Sequence, residues 1–169
     1  MNKGQIVSTD FFLSIGLFFI VLGLLVAIID YVGTQTRSSQ EEGFMYTVAN
    51  AVSDLLLNTE GSPKDWNNSS ARSVGLASGE LLNQSKILQF VNMNYNTTKS
   101  TMKIKQYEIR VTFNRISGTA MNINGTELIT GPEPAPRSHA VKLQRSRVMA
   151  DENNNKSIVI IDFILWKRL

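Results

Sequence analysis

The spacing of hydrophobic positions changes twice along this chain and divides it into three parts. The first part is a run of 19 residues from Phe11 to Ile29 that contains no charged side chain. As a helix such a run would be about 28 Å long, at about 1.5 Å per residue, close to the thickness of a bilayer's hydrocarbon core. Backbone groups at that depth find no water, so the run predicts a membrane-spanning helix.

The second part has the 3.6-residue period of an amphipathic helix between about Ser39 and Asn58. Its apolar positions are Phe44, Met45, Val48, Ala49, Val52, Leu55 and Leu56. Two overlapping capping boxes, Ser38 with Glu41 and Ser39 with Glu42, precede this period. They favour a helix break between Gly33 and Ser39.

The third part shows the two-residue period of strands. Apolar and polar residues alternate from Tyr107 to Asn114, and further strands are predicted near 119–123, 140–150 and 158–166. Asn124-Gly125 suits a tight turn, and the proline-rich stretch 131–136 predicts a stiff linker. A loop over 59–70, a short extended piece at 74–77 and a short helix over 83–93 complete the pattern. The fold class is α+β, with an antiparallel sheet of about four strands on one helix.

The residues before the apolar run read Lys3-Gly4-Gln5-Ile6-Val7-Ser8-Thr9-Asp10-Phe11. This segment resembles the class III signal peptide of archaeal type IV pilin-like proteins. The resemblance implies that a prepilin peptidase cleaves between Gly4 and Gln5. It differs from the commonest form because Asp10 replaces a glutamate, and because Ser8 and the acidic residue lie one residue further from Gln5.

A carboxylate at the edge of the hydrocarbon region needs a partner. In pilins the partner is the new amino terminus of a neighbouring subunit, which here would be the amine of Gln5. The alternative interpretation is that Asp10 caps the first turn of the helix and interacts with its dipole. Both interpretations need Asp10 ionised.

The segment that follows the amphipathic helix is also similar to outer regions found beside class III signals in archaeal proteins. The residues that carry this similarity are Gly61, Pro63, Trp66, Gly75, Leu76, Ala77, Lys86 and Tyr95. We expect Trp66 to pack over the helix rather than bind a ligand. In a pilin-like fold the membrane helix would continue into the amphipathic helix, against the break that the capping boxes favour.

The charges beside the apolar run favour a cytoplasmic N-terminus and an extracellular C-terminal part, because Lys3 precedes the run while Glu41 and Glu42 follow it. Six Asn-x-Ser/Thr acceptor sites fit that side of the membrane. A chain this rich in Asn, Ser and Thr could also contain several of them by chance. The candidate acceptors are Asn67, Asn68, Asn83, Asn96, Asn124 and Asn155.

Catalytic and metal-binding patterns are absent from the sequence. It has no cysteine, so disulfides and thiol chemistry are excluded, and its one histidine, His139, lies beside the proline-rich linker. No nucleophile elbow or phosphate-binding loop occurs. We therefore expect no enzyme activity, no cofactor and no metal.

Positive charge is concentrated in the third part of the chain. Ten basic and three acidic residues lie between Lys86 and Arg147, a net charge of +7, whereas the whole chain carries +3. A basic surface could attract an anionic surface polymer or DNA, although solvent-facing strand residues could produce the same count. Its candidate residues are Lys103, Lys105, Arg110, Arg115, Lys142, Arg145 and Arg147.

The resemblance thus implies a structural subunit of an archaeal type IV pilus-like or pseudopilus assembly, whose partners would be membrane lipid, similar subunits and the prepilin peptidase. Residues 1–4 would be a basic leader, 5–33 the membrane helix, 34–60 its amphipathic extension and 61–169 an extracellular β-rich head. The alternative is a monomeric membrane-anchored binding module with a basic sheet surface.

Overall fold

The computed structural model describes residues 4–136, 138–151 and 153–167. For residues 4–9, 37 and 38 it describes the backbone alone. Lys3 of the predicted leader and Arg137 of the basic segment lie outside the described residues. The chain divides into two compact units, an N-terminal unit, Met1–Glu41, and a C-terminal unit, Glu42–Leu169.

One long helix, α1, runs from Gly4 to Asn58. The residues between Gly33 and Ser39 are helical, so the break favoured by the capping boxes is wrong and the continuous alternative is confirmed. The hydroxyl groups of Thr34 and Thr36 donate to carbonyl oxygens three and four residues earlier, at 2.9 and 2.8 Å.

Three strands form the centre of a six-stranded sheet in the C-terminal unit. They are β3 (Tyr107–Asn114), β7 (Ala140–Ala150) and β8 (Lys156–Lys167). β8 pairs antiparallel with β3 on one side and with β7 on the other, with Thr112 and Gln144 opposite Asp162. The predicted central position of the last strand is confirmed, because β8 is the strand that is apolar on both faces.

Short elements complete the sheet and its surroundings. The remaining strands are β1 (Ala77–Ser78), β2 (Leu81–Asn83), β4 (Asn122–Ile123), β5 (Thr126–Glu127) and β6 (Ile129–Thr130). The sheet order is β1-β2-β7-β8-β3-β6, and only β2 and β7 pair in parallel. β4 and β5 form a separate ribbon whose turn has positive φ at Asn124 and Gly125, as predicted.

Two further helices lie between β2 and β3. Helix α2 (Gln84–Val91) is the predicted short helix, and the side chain of Asn83 caps it by accepting from the Lys86 N–H. Helix α3 (Tyr95–Thr101) is not predicted by the sequence pattern. Its residues are mostly polar and carry no apolar period.

One face of the sheet and part of α1 supply the main hydrophobic core. We call the buried α1 residues Met45, Ala49, Val52 and Leu56 the inner stripe. Strand residues of the same cluster include Val111, Phe113, Ile161, Phe163 and Leu165. The observed architecture is therefore α+β, with a long apolar N-terminal helix and a mainly antiparallel C-terminal sheet.

Candidate assembly surface

The apolar part of α1 exposes its large side chains in every direction. An 18-residue window of this helix has a mean hydropathy of 3.0, and none of it is buried. By length and composition the helix could cross a membrane. Gly16 interrupts the bulky side chains, and a Cβ built there would meet nothing within 4 Å. Phe12, Leu13, Leu17 and Ile20 line the shallow groove that this leaves.

Asp10 lies inside α1 rather than at its start. The helix begins at Gly4, and Asp10 comes six residues later with its side chain exposed. A capping carboxylate must lie at the helix start, where the first backbone N–H groups lack partners. The capping interpretation is therefore wrong, while the pairing of Asp10 with the amine of Gln5 in another subunit stays a prediction.

A second apolar stripe follows α1 into the C-terminal unit, next to the inner stripe. Its residues, which we call the outer stripe, recur at intervals of four, three and four: Phe44, Val48, Ala51 and Leu55. Phe44 is 56% exposed and Leu55 is 36% exposed, whereas Met45 of the inner stripe is 4% exposed. The core covers the inner stripe, whereas in the outer stripe Val48 is half-buried against the core and Phe44, Ala51 and Leu55 are exposed.

Two arginines of β7 hold the polar side of α1. Arg145 donates to the Asn50 side-chain oxygen at 2.5 Å, and Arg147 donates to the Asn58 side-chain oxygen at 2.6 Å. These bonds join residues about ninety positions apart in the chain. Both bonds connect the C-terminal part of α1 to β7.

The end of α1 is closed by the segment that follows the loop. The Leu76 N–H donates to the Leu56 carbonyl oxygen at 2.8 Å, and the Ala77 N–H donates to the Thr59 carbonyl oxygen at 3.0 Å. Carbonyl groups at a helix C-terminus need such outside donors. Lys86 supplies a charged donor just beyond, since its Nζ lies 2.8 Å from the Glu60 carbonyl oxygen.

Trp66 and two glycines pack tightly around this helix end. The Trp66 indole N–H donates to the Gly75 carbonyl oxygen at 2.9 Å, and its side chain is buried. A Cβ on Gly75 would overlap the Thr59 carbonyl oxygen and the Gly61 nitrogen. Trp66 belongs to the main core, which confirms the packing role expected for it.

A partly buried polar cluster connects α3 to the first residues of β3. The Tyr95 hydroxyl donates to Glu108 at 2.7 Å, and Lys99 pairs with the other oxygen of Glu108 at 2.7 Å. Burial, followed by the bond to the Glu108 carboxylate, raises the pKa of Tyr95 well above its ordinary value. The cluster satisfies its own charges and so acts as a structural tie.

The structure does not bring the seven candidate basic residues onto one surface. Lys103 and Lys105 are exposed in the turn before β3, and Arg115 is exposed after that strand. Arg110 pairs with Glu133 at 3.3 Å, and Lys142 pairs with Asp162 at 3.2 Å.

Strand geometry places the arginines of β7 on the other face. Side chains alternate along a strand, and every residue of β7 is paired with β8 without a bulge. Lys142 therefore lies on the face opposite Arg145 and Arg147, which bind α1. The seven candidate basic residues therefore do not share one face of the sheet.

The remaining candidate residues are on the C-terminal unit. Of the six acceptor asparagines, Asn83 is half-buried and the other five are exposed. His139 is exposed in its loop, 3.8 Å from Glu42. Among the described residues there is no cluster of three metal-binding side chains.

Comparison with known proteins gives a family and no function. Residues 1–161 match a family described as a family of unknown function (DUF7287), and the chain belongs to that family. No curated protein matches the chain. No solved structure matches it.

Proposed function

We propose that this DUF7287 protein is a structural subunit of a type IV pilus-like or pseudopilus assembly at the cell surface. One observation carries the proposal: α1 exposes apolar side chains in the N-terminal unit and again, as the outer stripe, in the C-terminal unit. Lipid would cover the first set before assembly. The outer stripe lies beyond the apolar run and needs a protein partner.

The partner that fits is α1 of another subunit. Burial of apolar surface yields roughly 25 cal/mol per Å², and an apolar patch on a soluble surface commonly marks an interaction site. Intervals of four and three residues are the spacing of a helix-to-helix seam. The groove at Gly16 would allow close approach of helices within the membrane.

The leader supports the same role. Cleavage between Gly4 and Gln5 by a prepilin peptidase would create a new amino terminus, and the exposed Asp10 carboxylate would pair with that amine on a neighbouring subunit. The N-terminus would be cytoplasmic and the C-terminal unit extracellular. Residues 1–4 would be removed and 5–33 would span the membrane until assembly.

The alternative of a monomeric module for anionic polymers or DNA has less support. That hypothesis depends on a continuous basic surface, whereas Arg110 and Lys142 are paired with acids and Arg145 and Arg147 bind α1. The three remaining candidates, Lys103, Lys105 and Arg115, are too few for strong electrostatic binding.

Two serine variants of α1 test the proposal. We compare the double variant Phe44→Ser/Leu55→Ser with Tyr46→Ser, which removes an aromatic ring that is 51% exposed but lies outside the outer stripe. Cell-surface material is sheared off and sedimented at high speed, and total membrane protein is measured in parallel.

We expect the double variant to reach normal membrane levels but to lose at least about tenfold of its sedimentable material, while Tyr46→Ser behaves as wild type. Equal sedimentation of the double variant and wild type would contradict assembly through the outer stripe. A wild-type chain that never sediments would contradict the structural role itself.

A further inference from the structure

The six acceptor asparagines differ in exposure and in the hydrogen bonds that their side chains make. N-glycosylation uses a surface Asn that is followed two residues later by Ser or Thr. A hydroxyl that bonds the same carboxamide holds the acceptor in place, and a side-chain nitrogen without a partner can be reached. The structure shows, for each site, whether the nitrogen is already bonded and where the hydroxyl group lies.

At three sites the Asn side-chain nitrogen or the Ser/Thr hydroxyl already makes another hydrogen bond. The Asn155 side-chain nitrogen donates to the Asp151 carboxylate at 3.0 Å, and that of Asn68 donates to the Asn92 carbonyl oxygen at 3.4 Å. Asn96 lies in α3, and the hydroxyl of its Thr98 is buried and bonded to the backbone.

Two further sites show no hydrogen bond, among the described residues, between the carboxamide and the hydroxyl two residues later. Asn83 is half-buried and its side-chain oxygen caps α2. Asn124 is exposed at the β4–β5 turn, but its carboxamide makes no hydrogen bond to Thr126 within the described residues. Thr126 pairs instead through its backbone in β5.

Asn67 alone combines the two requirements within the described part of the chain. Its side-chain oxygen accepts from the Ser69 hydroxyl at 2.8 Å and from the Ser69 and Ser70 N–H groups at 3.0 Å each. The side chain is exposed, and its nitrogen has no hydrogen-bond partner among the described residues. The acceptor is thus held by its oxygen and left open at its nitrogen.

We infer that Asn67 is an N-glycosylation site, with a lipid-linked saccharide phosphate or diphosphate as the donor. The side-chain nitrogen forms a bond to the anomeric carbon, the bond from that carbon to the phosphate oxygen breaks, and the lipid phosphate departs. One proton leaves the nitrogen. The hydrogen bonds to the carboxamide oxygen make the N–H protons more acidic, which favours loss of that proton as the new bond forms.

This inference goes beyond assembly but rests on the extracellular placement of the C-terminal unit in the proposed function. Overlapping acceptor sites give matched variants. Ser69→Ala removes the hydroxyl bonded to the Asn67 carboxamide and leaves Asn68 with Ser70. Ser70→Ala removes the hydroxyl of the Asn68 site, which also accepts from the Asn67 backbone N–H at 2.9 Å, but leaves the Ser69–Asn67 side-chain bond in place. Asn67→Asp keeps the oxygen acceptor that orders the loop and removes the nitrogen.

Full-length protein is purified from cells that naturally make it, and glycopeptides are identified by mass spectrometry. We expect a saccharide mass on Asn67 in wild type and in Ser70→Ala, at least about tenfold lower occupancy in Ser69→Ala, and none in Asn67→Asp. Circular dichroism of each variant checks folding.

Protease treatment of intact cells separates this inference from the proposed function. An unmodified Asn67 in a protease-accessible C-terminal unit would overturn the glycosylation site alone. An unmodified Asn67 in a protected unit would overturn both the site and the extracellular placement. Full occupancy in Ser69→Ala would overturn the role given to the Ser69 hydroxyl.

Discussion

The Lys86 ammonium group lies 2.8 Å from the Glu60 carbonyl oxygen and joins helix α2 to the chain just beyond α1. It also donates to the Ala77 carbonyl oxygen at 3.1 Å. Burial lowers the pKa of Lys86, while the Glu60 carboxylate opposes that shift. This one side chain therefore ties together the end of the long helix and the segment that closes it.

Loss of the Lys86 donor should destabilise the C-terminal unit. We expect Lys86→Met to lower the free energy of unfolding by about 1–3 kcal/mol, because two backbone acceptors lose a charged donor. Lys64→Met is the control, since Lys64 makes a surface ion pair with Glu60 and exposed pairs of this kind contribute little to stability. Urea unfolding of the full chain in detergent compares them, and equal losses would contradict the role of Lys86.

Gly75 should tolerate no side chain. We expect Gly75→Ala to destabilise the protein by about 1–3 kcal/mol, because its Cβ would overlap backbone atoms of Thr59 and Gly61. Gly43→Ala is the control, because a Cβ there meets nothing and alanine favours the helix by up to about 1 kcal/mol. Thermal unfolding followed by circular dichroism measures both; a stable Gly75→Ala protein would show that the helix end is loosely packed.

Acid should weaken the loop between β7 and β8 through Asp151. Hydrogen bonds from the Asn155 side chain and backbone lower the pKa of Asp151 below its ordinary value of 3.8. A carboxylate with a lowered folded pKa contributes stability above its unfolded pKa and loses it as the pH falls through the folded value.

We therefore expect Asp151→Asn to show a smaller loss of unfolding midpoint than wild type when the pH falls from about 5 to below 3.8. Urea midpoints at the two pH values give the comparison. Parallel curves for the two proteins would mean that Asp151 contributes nothing to the acid dependence.

Asp10 should matter for assembly and not for insertion. Asp10→Asn keeps the size of the side chain and removes the charge that would pair with the Gln5 amine. We expect normal amounts in the membrane fraction and a loss of sedimentable surface material of at least about tenfold. Asp30→Asn, at the other end of the apolar run, is the control and should assemble normally; unchanged assembly of Asp10→Asn would remove the pairing.

Much of the fold could be predicted from local periodicity. The strands at 107–114 and 140–150, the short helix before Asn92 and the Asn124-Gly125 turn follow from spacing and turn chemistry that a single segment carries. The capping patterns before Ser39 favour a break. The backbone there is helical, and Thr34 and Thr36 bond within α1.

Other features depend on contacts between distant segments, which no local pattern contains. Tyr95 and Lys99 attach the polar helix α3 to Glu108 of β3. The parallel pairing of β2 with β7 joins segments that are far apart in the chain. A count of charges could not show that Lys142 and Arg145 lie on opposite faces of one strand.

The candidate assembly surface was only half visible in the sequence. The period of α1 predicted one apolar face that would need a cover, and the structure shows two neighbouring stripes of which the core covers one. The covered stripe packs against strands that lie far away in the sequence, and Arg145 and Arg147 bind Asn50 and Asn58 across about ninety residues. The Ser69–Asn67 hydrogen bond was likewise invisible in the acceptor pattern.

Immunogold electron microscopy of sheared cell-surface material tests the central claim most directly, with an antibody against residues of the C-terminal unit. If the protein is a structural subunit, gold particles should decorate filaments from wild-type cells at regular intervals along their length. The labelling should vanish in the Phe44→Ser/Leu55→Ser variant, while the amount of variant protein in the membrane is unchanged. Label confined to single molecules in the membrane fraction of wild-type cells would contradict the claim.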